Sequence, residues 1–592
     1  MTNKLPAKDV VIIGLGWTGS ILANELTEAG LDVVAVERGP WRDTASDFAP
    51  SYAPDELRYR LRHELFLRPA QASLTFRNTL DQAALPVRDW GAFMLGNGAG
   101  GAGVHWNAET WRFAPSDFVV KSHLTQRYGA GFLPADMTIQ DWGVTYAELE
   151  PHYDRFEYLC GTSGTAGNLK GAIQDGGNPF EGPRSRAYPT PAQPQPFSHT
   201  LFADAARQLG YKPFPQPSGN LSTAYTNPLG VKLGPCTYCG FCEWFGCGNY
   251  SKASPQTTLL PVLVRKPNFE ARTLCEVTRI NLDGSGKRAT GVNYVDSSGQ
   301  SWEQPADLVI LCAFQLFNVQ LLLLSGIGAP YNPRTGEGQV GRNFSHQTVS
   351  TVTGFFDNTK FNFNPFISSG SIGMCIDEFN GDNFDHGPLG FVGGGYMGQV
   401  QSNGRPIELT PVPPGTPAWG AQWKKAVKEN YLSTVLAGSG VHGSNYSYKM
   451  NYLDLDPVYQ DRFGRPLLRM TMDLHENEIK MSAYLTDRYA EIIQKMGARQ
   501  VVKAPRTGPY DVTKYQTSHL CGGAIMGTNP SESVLNPYLQ SWDVPNLFVQ
   551  GASAFPQNAG YNPTGTVAAL AFRSAEAIRD QYLKNPGPLI HA

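Results

Sequence analysis

Val10-Val11-Ile12-Ile13-Gly14-Leu15-Gly16-Trp17-Thr18-Gly19 decides the reading of this chain, together with Ser20 to Ala29 and Val33-Val34-Ala35-Val36-Glu37-Arg38. An apolar run of β-branched residues meets Gly-x-Gly-x-x-Gly. A helical stretch follows, and a second apolar run ends in an acid. Gly14 makes the tight turn, Gly16 lets backbone approach a pyrophosphate, and Gly19 lets helix and strand pack closely. Phosphates sit well at a helix N-terminus, where free N–H groups and the dipole favour anions. Glu37 stands where an acid would take the ribose hydroxyls of an adenosine. A dinucleotide site is the expectation, against a merely structural glycine turn.

Working outward, 592 residues exceed one small core and favour two large lobes. Hydrophobic content of 41% and charged content of 17% suit a globular protein and exclude a mostly disordered one. A net charge of −3 gives no electrostatic reason to expect nucleic acid. The most apolar stretch, Leu308 to Gly328, is broken by Gln315, Asn318 and Gln320, so no membrane span is expected. The nine residues before the first strand hold no apolar signal core. The expectation is a cytosolic chain that leaves the cytosol only with a partner.

A second glycine loop runs Gly96-Asn97-Gly98-Ala99-Gly100-Gly101-Ala102-Gly103-Val104-His105-Trp106-Asn107. Its backbone can approach a ligand closely, and His-Trp-Asn places polar and aromatic groups beside the glycines. The alternative is a flexible loop. Asp141 to Tyr158 reads as an amphipathic helix, Ala271 to Val295 and Ala306 to Cys312 as strands, and Leu316 to Ser325 as a helix ending at Gly326. From Phe344 to Pro509 the chain is aromatic and polar, with alternating runs such as Leu432 to Leu436 and Gly443 to Met450 that suit an antiparallel sheet. Glu476 to Met496 reads as a long helix. Near the end, Asn562-Pro563-Thr564 leads into an apolar helix over Gly565 to Ile578, with Pro563 in its first turn.

Four of the nine cysteines, Cys236, Cys239, Cys242 and Cys247, fall in one short loop. Spacings of two, two and four residues resist pairing as disulfides. A compact single-loop run is the habit of iron–sulfur clusters, whereas zinc usually takes two separated knuckles. Zinc and free thiols stay open as alternatives.

These motifs in this order resemble the GMC (glucose–methanol–choline) oxidoreductase family over nearly the whole chain. The resemblance rests on the N-terminal glycine turn with its acid, the GNGAGGAG loop, LLLLSGIG at Leu321 to Gly328, VGRN at Val340 to Asn343, the motif around His519 and the NPTGT run from Asn562. With the cysteine run added, it is similar to flavoprotein subunits of the membrane-bound gluconate, fructose and sorbitol dehydrogenase group. Departures exist: HLCGGAIMG replaces the usual HPxGTxxMG, the second active-site position is Asn562 and not histidine, and four cysteines leave cluster nuclearity open between [3Fe–4S] and [4Fe–4S].

The resemblance implies an α/β fold: a doubly wound FAD-binding domain over 1–160, 230–343 and 510–592, and a cap domain with an antiparallel sheet over 161–229 and 344–509. It implies that Gly14, Gly16, Gly19, Glu37, Arg38, Gly96, Asn97, Gly101, His105, Asn107, Val277, Gly551, Ala552, Asn562, Pro563 and Thr564 hold FAD. His105 is expected to bond covalently to the flavin, with packing beside the ring as the alternative. His519 would be the base and Asn562 its companion on the same substrate oxygen. Partners would be a small subunit bearing the export signal and a membrane-anchored multi-haem cytochrome c on the periplasmic face, with electrons passing from flavin through the cluster to haem and quinone. D-Gluconate, oxidised at C2, is the first choice of substrate, ahead of 2-ketogluconate, sorbitol or another sugar. An oxygen-using oxidase and a non-enzymatic scaffold subunit are the rivals. A carboxylate substrate needs a cation, and Lys360, Lys424, Lys425 and Lys449 are the candidates in the cap.

Overall fold

Lys8–Ile13 (β1) and Val33–Val36 (β2) lie parallel, Val10 opposite Val33 and Ile13 opposite Val36. Successive side chains of a strand leave on opposite faces. Here Val11, Ile13, Val34 and Val36 enter one hydrophobic core, and Val10, Ile12, Val33 and Ala35 enter a second on the other face. Burial on both faces is what an interior parallel strand requires, and it explains the unbroken apolar runs.

The structure is a computed structural model and describes residues 2–48, 64–401, 410–436 and 440–591. Four strands extend the first sheet: Phe269–Arg272 (β3), Glu276–Leu282 (β4), Ala289–Val295 (β5) and Ser301–Leu311 (β6), in spatial order β3-β2-β1-β6-β5-β4. The long β6 changes partners along its length. Residues 301–305 pair antiparallel with β5, and residues 306–311 run parallel to β1. Leu547–Val549 pairs parallel with the end of β6, on the edge of β6 away from β1, so the C-terminal segment returns to the first sheet. The expected α/β architecture with a doubly wound parallel sheet is therefore present.

Helix α1 (Trp17–Glu28) begins at the glycine turn, and Gln315–Ser325 (α2) follows β6. Gly326 ends α2 in the left-handed region at φ 69°. The helix expected from Asp141 starts instead at Tyr146 and runs to Cys160. Thr145 sets its start: Glu148 returns to accept from Thr145 N at 2.8 Å, and Thr145 Oγ1 accepts from Glu148 N at 3.3 Å. The last helices are Glu476–Lys495 (α3) and Thr564–Ala577 (α4), with Pro563 as the N-cap of α4 and not inside its first turn.

The second sheet contains Thr348–Phe355 (β7), Gly373–Ile376 (β8), Met397–Val400 (β9), Thr434–Leu436 (β10), Val441–Gly443 (β11) and Gln500–Ala504 (β12), all paired antiparallel. Helix α3 packs on it through Met481, Leu485, Tyr489 and Ile493, which share a core with Val352, Met397 and Val441. The alternating run from Gly443 to Met450 does not continue as a strand. Its buried polar groups bond to neighbouring loops, Ser444 N to Gly394 O at 2.8 Å and Ser447 Oγ to Pro556 O at 2.6 Å. A third sheet joins Leu74–Arg77 in parallel to Pro466–Thr471, with Leu85–Pro86 and Tyr452–Gln460 outside them. This sheet crosses the domain boundary drawn from the sequence. Among the described residues no helix is long and apolar enough to cross a membrane.

Candidate active site

A cavity of about 680 Å³ opens between the first sheet and the second, a size usual for cofactor and ligand sites. From the first motif it is lined by Gly14, Gly16, Glu37 and Arg38; from the second by Gly96, Gly101, His105 and Asn107. Val277, Gly551, Ala552, Pro563 and Thr564 line it from later segments, and His519 and Asn562 stand together in the same wall set. Asn97 lines an adjoining cavity of about 370 Å³, which shares Arg38. Gly19 lines neither. It is the close-packing glycine, where a Cβ would lie 2.1 Å from Gly14 O.

The two glycine loops meet face to face. Gly100 N donates to Leu15 O at 2.6 Å, and a Cβ built on Gly16 would find Gly101 Cα no nearer than 3.9 Å. Gly16 thus borders open space at the N-terminus of α1. The Glu37 carboxylate accepts from Leu15 N at 2.9 Å and Gly39 N at 2.8 Å, which pins the turn and leaves each oxygen a further lone pair for a ribose hydroxyl. The Arg38 guanidinium lies 4.2 Å over the Phe317 ring, and burial lowers its pKa. His105 is buried and its Nε2 has no hydrogen-bond partner. Burial, then the neighbouring Lys252 charge, pushes its pKa down to about 3. A glycine cradle, a pinned acid and an unpartnered neutral imidazole fit a dinucleotide such as FAD.

At the other side of the cavity His519 Nδ1 bonds Gln347 Oε1 at 2.6 Å, and His442 Nδ1 bonds the same oxygen at 3.2 Å. Burial first, then His442 and His346, hold the His519 pKa well below 6.5. Asn562 Oδ1 lies 3.0 Å from the Tyr396 hydroxyl, which also lies 2.7 Å from Glu109 Oε2. The single Tyr396 proton serves one of these oxygens at a time. Glu109 accepts from Trp111 Nε1 and Asn107 Nδ2, both at 3.1 Å, and burial raises its pKa. Tyr396 in turn stacks on His442 at 4.9 Å.

Gln347, Tyr396, Glu109 and His442 were not singled out from the sequence. Glu109 is signalled weakly: the polar run after the second glycine loop continues two residues past Asn107. Gln347 likewise sits in a polar run, Ser345-His346-Gln347, just after Gly341-Arg342-Asn343. Nothing local marks Tyr396 or His442.

The expected metal centre is not assembled. Among the described residues no three His, Cys, Asp or Glu side chains are grouped to hold a metal ion. Cys236, Cys239, Cys242 and Cys247 share one loop, and burial, then Cys239 and Cys236, raise the Cys242 thiol pKa, so the sulfurs lie near one another. Cys236 Sγ donates to Ser369 Oγ at 3.3 Å, and Cys247 Sγ donates to Asn249 Oδ1 at 3.0 Å and meets Ser251 Oγ at 3.5 Å. Cys242 is buried and Cys239 exposed. The loop still abuts the cavity, since Glu243 and Trp244 line it and Trp244 N donates to His105 O at 2.7 Å.

None of Lys360, Lys424, Lys425 and Lys449 lines the cavity. The lining from the second sheet and the segment before His519 includes the neutral, hydrogen-bonding Thr351, Gln399, Gln401, Thr434 and Gln516.

Comparison with known proteins returns one description twice. Models of the GMC oxidoreductase family match residues 189–349 and 447–571. The chain is 50% identical to a gluconate 2-dehydrogenase flavoprotein of Pantoea cypripedii, across 100% of this chain and 97% of the relative. It is 25% identical to the fructose dehydrogenase large subunit of Gluconobacter japonicus, across 98% and 99%. Among solved structures, pyridoxine 4-oxidase from Mesorbium loti aligns with a TM-score of 0.56 over 98% of this chain and 100% of that one, at 16% identity, a likeness of fold alone.

Proposed function

The chain belongs to the GMC oxidoreductase family, an FAD-dependent enzyme of CH–OH donors, and from that premise we propose that it oxidises a secondary alcohol of a sugar acid, D-gluconate to 2-keto-D-gluconate. The observation that carries the reading is the pair His519 and Asn562, set in one cavity with the glycine cradle. The gluconate relative at 50% identity directs the choice of substrate.

FAD, when bound, supplies the hydride acceptor. The chain supplies the base and the alignment. His519 is neutral at neutral pH because burial opposes its charged form, so it is ready to accept the hydroxyl proton. Asn562 bonds the same oxygen, and Tyr396 fixes the amide from behind. Helix α4 starts two residues after Asn562 and turns its N–H end toward negative charge developing in the site. His105, neutral and unpartnered at Nε2, is proposed as the covalent anchor of the flavin.

We further propose that the cysteine loop receives an iron–sulfur cluster. Spacing and the shared loop support it, although among the described residues no metal-holding group is assembled. Iron and acid-labile sulfide in the purified protein support the cluster, and their absence rejects it. Partners would be a small subunit and a membrane-anchored cytochrome c on the periplasmic face, a reading supported by the fructose dehydrogenase relative being a large subunit.

Reduction of an artificial acceptor, assayed over D-gluconate, 2-ketogluconate, sorbitol and fructose, tests the substrate. Gluconate turned over at least tenfold faster supports the reading. That none of the four candidate lysines lines the cavity favours a second reading, a neutral polyol or sugar, and sorbitol or fructose ahead of gluconate would establish it. Stoichiometric peroxide in air would point to an oxygen-using oxidase instead.

A further inference from the structure

Gln347 is wholly buried and makes four side-chain contacts whose chemistry is mutually restrictive. Its Nε2 donates to Gly560 O at 2.8 Å and Ala559 O at 3.3 Å. Backbone carbonyls only accept, so these contacts fix which end of the amide is nitrogen. Oε1 must then be the atom facing the imidazoles, and an amide oxygen only accepts. His519 Nδ1 at 2.6 Å and His442 Nδ1 at 3.2 Å therefore both carry the proton. In the neutral imidazole that leaves Nε2 of His519 as the lone-pair nitrogen.

We infer that Gln347 is a positioning residue that sets the His519 tautomer, so that Nε2 is the basic atom, and that the amide pair Ala559–Gly560 holds Gln347 in that sense. The device also links the base to its companion: the carbonyls that orient Gln347 lie immediately before Tyr561-Asn562, so one segment positions both partners on the substrate oxygen. After His519 takes a proton at Nε2, Nδ1–H stays on Gln347 Oε1 and no regrouping is needed. A neutral amide, unlike a carboxylate, supports the imidazolium without raising its pKa strongly, in keeping with a base that stays uncharged.

This rests on His519 being the base, and the test separates the two ideas. Holoenzymes carrying Gln347→Leu and Gln347→Glu are compared with the native protein, with FAD content and melting temperature as folding controls. ¹⁵N spectra of histidine-labelled protein report tautomers whether or not His519 is catalytic. The native spectrum should show His519 protonated at Nδ1, and Gln347→Leu should lose that preference. Flavin reduction should fall roughly 10- to 100-fold in Gln347→Leu, with KM changed less than threefold. Gln347→Glu keeps an acceptor for both imidazoles but loses the donor to Gly560 and Ala559, so it should keep the Nδ1–H tautomer while moving the acid limb of the pH–rate profile upward. A native Nε2–H tautomer overturns the inference, as does native turnover in Gln347→Leu, or loss of the Nδ1–H tautomer in Gln347→Glu. Full activity in His519→Gln, alongside a native spectrum showing the Nδ1–H tautomer of His519, would instead overturn the assignment of the base.

Discussion

Two alanine substitutions three residues apart should separate the fold from the cofactor. At Gly19 a Cβ would lie 2.1 Å from Gly14 O, 3.1 Å from Gly14 C and 3.4 Å from Ile12 Cγ2. Backbone atoms cannot swing aside, so relief to ordinary contact near 3.4 Å requires α1 to move off the turn by more than 1 Å. Overpacking of this kind costs about 1–3 kcal/mol, and it displaces the N–H groups that receive the phosphates. At Gly16 the backbone is ordinary, φ −82°, and the nearest atom to a Cβ is 3.9 Å away. The methyl group fits the protein but occupies the space of the pyrophosphate. Gly16→Ala should therefore leave the melting temperature of the flavin-free protein within about 1 °C of native. Its FAD affinity should drop at least tenfold, about 1.4 kcal/mol. Gly19→Ala should lower both. Both substitutions are made in the His105→Ala background, where no covalent bond holds the flavin; flavin-free protein is then prepared by acid or chaotrope treatment, melted by calorimetry, and titrated with FAD by fluorescence quenching. Native FAD affinity in Gly16→Ala, or native melting in Gly19→Ala, would refute the reasoning.

His519→Gln should keep the flavin spectrum and lose turnover by roughly 10² to 10⁴, measured by rapid-mixing flavin reduction. In the native enzyme the base is the neutral form and its pKa lies well below 6.5, so the rate should hold as pH falls through 6.5 and decline only below it; a midpoint at or above 6.5 counts against the burial argument. His105→Ala should release all its flavin on denaturation where the native protein retains it by mass, and a native protein that also releases flavin removes the covalent bond. Burial holds the Asp377 carboxyl up to about 7, against 3.8 when unhindered. The folded state therefore binds this proton more tightly, and the group's contribution to stability is lost as pH rises from about 4 to 7. Asp377→Asn removes that dependence, so its melting temperature relative to native should be higher at pH 7 than at pH 4.

The first sheet was legible because β1 and β2 bury both faces and carry unbroken apolar runs ending in a diagnostic turn. The antiparallel region was legible only in kind. Strands such as Thr434–Leu436 and Val441–Gly443 are three residues long, and Ser444 and Ser447 bond to loops far away in sequence rather than to a neighbouring strand. His519 and Asn562 were readable from motifs, whereas Gln347 and Tyr396 were not, since their meaning lies in contacts made across 172 and 166 residues. The cysteines illustrate the reverse case. Spacing is a local property and was read directly, but the Cys236 and Cys247 sulfurs bond to Ser369 and Asn249, which spacing does not encode.

The parallel pairing of Leu74–Arg77 with Pro466–Thr471 has a consequence for biosynthesis. Arg77 meets Thr471 only after 394 further residues have been polymerised, on the order of 20–80 s at the usual rate of ribosomal elongation. Leu547–Val549, beside β6, emerges later still. Nascent chains must therefore shelter sticky strand edges through much of synthesis, and the cavity gains its last lining residues, Asn562 to Val567, only later.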